Sequence, residues 1–154
     1  MARNNYPNKL GKLKRNKTPV EAALRFLSYR ARSEKEVRDK LKKRFTPEEI
    51  DLVIQKFKEW NLLNDAQFAQ SYVESRARSK PRSKRMIEME LKRKGVKLDF
   101  DLPQSDLELA NAALEKKKNL RSFKQAVRFL QSRGFSWEVI EKVLKNRYND
   151  DHVS

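Results

Sequence analysis

Arg-Ser steps punctuate the chain, and the landmarks around three of them recur in order. Ser33, Ser79 and Ser122 each follow an arginine (Arg32, Arg78, Arg121), and an alanine stands ten residues before each serine (Ala23, Ala69, Ala112). The first two steps sit in the same tetrapeptide, Arg-Ala-Arg-Ser, at 30–33 and 76–79. An apolar pair one helical turn apart comes next: Val37/Leu41, Ile87/Leu91, Ala126/Leu130. Four residues beyond each leucine the pattern stops, at Phe45, Gly95 and Gly134. Units of this length are too small to bury an apolar face alone, so they must stack on one another. The expected fold is all-α: an elongated tandem array of three-helix repeats, about eight helices in all.

Helix starts support this. Thr18-Pro-Val-Glu21, Ser33-Glu-Lys-Glu36 and Thr46-Pro-Glu-Glu49 each carry a hydroxyl with a glutamate three residues on. In that arrangement each side chain satisfies an orphan backbone N–H of the first turn. Apolar residues follow at three- and four-residue steps: Ala23, Leu24 and Leu27; Val37 and Leu41; then Ile50, Val53, Ile54, Phe57 and Trp60. The third helix of the first unit, 46–54, matches 136–144 of the last in cap, glutamate, isoleucine and apolar pair. The middle unit has "VKLDFDLPQS" (96–105) at that place, without a helical stripe and with Pro103, so its third helix is read as shortened or lost. Ser79 opens a longer turn through Pro81, which allows the cap of the next helix to move to Ser83. The expected organisation is a flexible basic arm (1–17), repeats at 18–62, 63–104 and 105–148, and a frayed tail (149–154).

The segments 62–79, 84–96 and 126–144 resemble the RecX regulatory proteins of bacteria. The resemblance rests on Leu63, Asn64, Asp65, Phe68, Ala69, Tyr72, Val73 and Arg76. It continues through Ile87, Glu90, Leu91, Lys94 and Gly95, then Leu130, Arg133, Gly134, Phe135, Ile140, Val143 and Leu144. It spans roughly residues 19–147, and the order and spacing of the motifs carry it. The resemblance implies tandem three-helix repeats. It also implies binding to the recombinase RecA in the groove of its filament on DNA, damping of its ATPase and strand exchange, and so an effect on recombination, repair and the SOS response. The absent helix at 96–105 departs from the pattern and bears on how the array would follow that groove.

No chemistry is expected of the chain itself. The only histidine is His152, there is no cysteine, and the three glycines stand apart at 11, 95 and 134. Thiolate metal sites and a glycine-rich phosphate loop are therefore excluded. The acidic stretch Asp99, Asp101, Asp106 and Glu108 reads as helix N-terminal charge complementing the macrodipole. No catalytic residue, metal or cofactor is expected. No apolar run approaches a membrane span. A cytoplasmic monomer is the resulting expectation.

Charge is where function is expected. The net charge of +16 favours polyanions, nucleic acid above all. The segments 30–44, 76–97 and 116–147 carry balances of +5, +8 and +8. In a tandem array such blocks would form a stripe suited to a phosphate backbone or a filament groove. The candidates are Arg30, Arg32, Arg76, Arg78, Arg121 and Lys124 at the repeat junctions. With Ile87 and Leu91 inward, Arg82, Arg85, Met86, Met89 and Arg93 fall on the far side of their helix, a composition suited to an adaptable protein interface. The partners expected are the RecA filament and, directly, DNA. The competing reading is a stand-alone basic helical-repeat protein that binds DNA or RNA.

Overall fold

The structure is a computed structural model that describes residues 18–149. The basic arm of residues 1–17, the tail beyond residue 149 and His152 lie outside the described residues. Among the described residues there are eight helices and no strand. In chain order they are α1 (Pro19–Tyr29), α2 (Glu34–Leu41), α3 (Pro47–Glu59), α4 (Asp65–Ser79), α5 (Lys84–Arg93), α6 (Asp106–Lys116), α7 (Phe123–Ser132) and α8 (Trp137–Asn149). Between Arg93 and Asp106 no described residue is helical, so the middle repeat lacks its third helix.

The hydroxyl half of each predicted cap forms. Thr18, Ser33 and Thr46 accept from the amides of Glu21, Glu36 and Glu49. The reciprocal bond that closes the capping box is present at Ser33. Ser105 and Glu108 close a second box at α6, and Asn64 caps α4.

One register differs from the sequence reading. Arg30–Ser33 follows the end of α1, but Arg76–Ser79 is the last turn of α4, where the Ser79 hydroxyl donates to the Ser75 carbonyl. Nothing in 65–80 breaks the helix before Pro81, which disfavours the helical conformation at Lys80. The serine equivalent to Ser33 and Ser122 is therefore Ser83, whose Oγ accepts from the Met86 amide at 3.1 Å, and the preceding arginine is Arg82. In this register the apolar pairs align without a slip. Val37, Ile87 and Ala126 lie four residues after each cap, and Leu41, Leu91 and Leu130 eight after. None of the six is more than 2 % exposed. Phe45, Gly95 and Gly134 lie twelve after. The position ten before the cap is Ala23, Val73 and Ala112, and the first two are buried.

The chain divides into two compact units. Among the described residues, one holds residues 18–68 with Lys94–Val96, and the other holds Ala69–Arg93 with residues 97–149. The core of the first gathers Ala23, Val37, Leu41, Ile50, Val53, Ile54, Phe57 and Leu63. The core of the second is built mainly from α6, α7 and α8, with Leu109, Leu130, Ile140 and Leu144 among its buried residues. Leu24 and Trp60, predicted to line the interior of the first repeat, are exposed. Trp60 instead stacks on Phe57, with ring centroids 5.9 Å apart.

Each unit contains one repeat-to-repeat joint made of the same parts. In the first, the Glu34 amide at the start of α2 donates to Asp65 Oδ1 at 2.9 Å, and the Ser33 hydroxyl donates to the Lys94 carbonyl at 2.6 Å. In the second, the Lys84 amide at the start of α5 donates to Asp106 Oδ1 at 2.9 Å, and the Ser83 amide donates to the Arg133 carbonyl at 3.0 Å. Each helix start thus borrows a carboxylate from the first residue of the next repeat's first helix, satisfying an N–H its own helix leaves unpaired. A left-handed glycine follows each accepting carbonyl: Gly95 at φ +71° and Gly134 at φ +84°. A Cβ on Gly95 would stand 2.7 Å from Lys35 Cβ, and one on Gly134 would stand 2.6 Å from Ser83 Oγ. Both the backbone conformation and the close approach need glycine.

Candidate functional site

The corrected register sorts the basic candidates into two groups. The arginine preceding each cap is Arg32, Arg82 and Arg121. The residue two after each cap is Lys35, Arg85 and Lys124, and all three are exposed.

Arg30 and Arg32 converge on Glu36. The Arg30 guanidinium donates to both carboxylate oxygens. Arg32 Nη1 and Lys94 Nζ each stand 3.7 Å from it, and the Ser33 amide adds a bond. Burial pushes the Glu36 carboxyl up, but the bonds from Arg30 and Ser33 and the charges of Lys94 and Arg30 outweigh it, so it sits below the usual carboxylate range. Arg32 also lies over the Phe26 ring at 3.8 Å and donates to the Phe26 carbonyl.

Arg76 and Arg82 converge on Glu90 in the same way. Arg82 pairs with Glu90 Oε1, Arg76 Nε lies 3.3 Å from Oε2, and the Tyr72 hydroxyl donates to Oε2. Arg76 donates twice to the Tyr72 oxygen at 3.1 Å. Burial again raises Glu90, and the Tyr72 and Arg82 bonds together with both guanidinium charges bring it below its ordinary range. Arg82 is buried, which corrects its placement on an exposed far side of the helix. It precedes the Ser83 cap, so helical periodicity does not govern where it points, and its Nε bonds the Lys80 carbonyl. These four arginines are engaged on Glu36 and Glu90, although Arg30 is still about half exposed.

Of the remaining candidates, all but Met86 face solvent. Arg78, Arg85, Met89, Arg93, Arg121 and Lys124 are exposed. Met86 is half-buried, and a Cβ on Gly134 would come within 3.0 Å of Met86 Cβ. With Ile87 and Leu91 inward, Arg85, Met89 and Lys92 rise on successive turns of one outer face of α5, with Arg93 beside them. Sequence reasoning missed Lys35 and Lys92. The signal for Lys35 was the position two after the cap, which is legible only when the middle repeat is aligned on Ser83.

Among the described residues no group of three acidic, histidine or cysteine side chains could hold a metal ion, and no helix is long and apolar enough to cross a membrane.

Two family models match the chain: "RecX, first three-helix domain" over residues 20–57 and "RecX, second three-helix domain" over 64–99. The Regulatory protein RecX of Chlorobaculum tepidum is 37 % identical over 139 residues, covering 82 % of this chain and 86 % of that one. The protein of the same name from Bacillus velezensis is 36 % identical over 154 residues, covering 89 % of this chain and 59 % of its own. Against the Bacillus and Enterococcus relatives the chain spans somewhat more than half of their length. A crystal structure of RecX from Lactobacillus salivarius superposes with a TM-score of 0.62 at 24 % identity, over 83 % of this chain and 93 % of that one, and shares the fold.

Proposed function

The chain belongs to the RecX family of regulatory proteins, and from that premise we propose that it binds the RecA recombinase on DNA and lowers its ATPase and strand-exchange activity. It acts by binding, without chemistry of its own. The observation that supports this reading is the outer face of α5. Arg85, Met89, Lys92 and Arg93 stand exposed on a helix whose inner face is pinned by Ile87 and Leu91. A rigid helix presenting guanidinium groups around a flexible thioether offers charge for steering and an adaptable apolar contact. Arg78, Arg121 and Lys124 extend the candidate surface. Arg30, Arg32, Arg76 and Arg82 leave it, because their guanidinium groups already serve Glu36 and Glu90.

The test is a titration of this protein into RecA hydrolysing ATP on single-stranded DNA. Inhibition is expected at amounts too low to coat the DNA. The Arg85→Glu, Arg93→Glu variant should need roughly tenfold more protein while keeping its helicity by circular dichroism. Inhibition only at saturating, salt-sensitive coverage of the DNA would defeat the reading in favour of a stand-alone nucleic-acid binder.

A further inference from the structure

A second surface, within the first repeat, combines charge with exposed aromatic area. The C-terminal half of α1, the end of α2 and the turn after it line a cleft of about 490 Å³, within the size range of ligand sites. Its lining includes Phe26, Tyr29 and Phe45 together with Arg25, Lys40, Lys43 and Arg44, against the single acid Glu21. Phe26 and Phe45 are half-buried and pack on the core. The Phe26 ring carries cations, with Arg32 at 3.8 Å and Lys40 Nζ at 5.6 Å from its centroid. Tyr29 differs, being 73 % exposed at the last residue of α1. Arg25, Lys40 and Lys43 are also exposed.

We propose that this cleft binds a short run of single-stranded nucleic acid, with a base stacked on Tyr29 and the flanking phosphates on Arg25, Lys40 and Lys43. Sequence-independent binding of single strands uses this pair of features, an electropositive groove and an aromatic face on which an unpaired base can lie. The two halves of the cleft explain different parts of the ligand. Cations alone would suit any polyanion, including an acidic peptide or duplex DNA. A ring standing mostly in water is matched by a flat, unpaired base, which an acidic peptide lacks and a duplex keeps within its own stack. The site lies in the first repeat and does not depend on the α5 reading.

Fluorescence anisotropy of labelled oligo-dT and oligo-rU of about twelve nucleotides, titrated with the full chain, tests it. Tyr29→Ala is expected to weaken binding about fivefold or more, and Tyr29→Phe to restore it. Lys40→Gln with Lys43→Gln should lower the slope of log affinity against log salt by about 1.4, two single-strand phosphate contacts at about 0.7 each. The Tyr29 effect should persist in the Arg85→Glu, Arg93→Glu background, which separates this site from the α5 face. Tighter binding of dT or of rU tells which nucleic acid the cleft favours, and either result supports the site. Unchanged affinity in Tyr29→Ala with helicity retained overturns it. Equal affinity for duplex DNA or for polyglutamate also overturns it, by reducing the cleft to a general polyanion contact.

Discussion

The joint at Ser33 and the joint at Ser83 solve one problem with different wiring. At Ser33 the third helical residue is Glu36, which bonds back to the cap amide and closes the box within its own repeat. The serine hydroxyl is then what reaches the next repeat, through the Lys94 carbonyl. At Ser83 the third residue is Met86, which cannot reciprocate, and the cap amide itself crosses to Arg133. The ionic hubs differ in step. Glu36 is shared among Arg30, Arg32 and Lys94, and two of those pairs are 3.7 Å apart. Glu90 is held by Arg76 and a buried Arg82, with Tyr72 donating as well. At these two joints, the cap amide is bonded within its own repeat where the third residue is glutamate and by the neighbouring repeat where it is methionine.

The comparison breaks most visibly at the glycines. Gly134→Ala would place a methyl group 2.6 Å from the oxygen that caps α5, at a left-handed φ. A loss of about 2–4 kcal/mol in urea unfolding is expected. Gly95→Ala meets Lys35 Cβ at 2.7 Å, an atom fixed on α2, also at a left-handed φ, and should cost about as much. A much smaller loss at Gly95 would show that the cap at Ser83, rather than backbone conformation and close approach, sets the cost at Gly134. The arginines come next. Arg82→Met leaves a largely buried carboxylate short of one partner and should cost about 2 kcal/mol, whereas Arg32→Met, with Arg30 and Lys94 still in place, should cost under about 1 kcal/mol. Matching values in urea melts would make the two hubs equivalent after all.

The smallest effect is in pH. Glu36 and Glu90 both ionise below their ordinary range in the folded chain. Their stabilisation is therefore complete above the unfolded glutamate value of about 4.3, and is lost as pH falls through the lower native values. Glu90→Gln and Glu36→Gln should each flatten the acid limb of a stability–pH curve without changing its slope near neutrality. A curve that stays as steep would mean that the hubs do not titrate as described.

Local rules made the helices legible. A hydroxyl cap binds an amide three residues away and an apolar pair repeats one turn apart, so both can be read from a short window. The absent helix at 96–105 was legible for the same reason. Arg82 was not, because its orientation is set by Glu90 eight residues on and by a cap that ends the helical geometry before it. Leu24 and Trp60 show that a stripe gives the direction of the core but not its edge. The middle register was obscured by a repeated tetrapeptide lying in a last helical turn in one copy and outside the helix in the other. The Tyr29 cleft had no sequence signal, because its lining comes from two helix ends and the turn behind α2, brought together only by packing.

The borrowed carboxylates have a consequence for the order of synthesis. The amide of Glu34 finds its acceptor in Asp65, 31 residues later, and the hydroxyl of Ser33 finds its own in Lys94, 61 residues later. A chain emerging from the ribosome at about 5–20 residues per second would hold the first repeat with its second helix still unsealed for some seconds. The first and second repeats are each locked by the one translated after it.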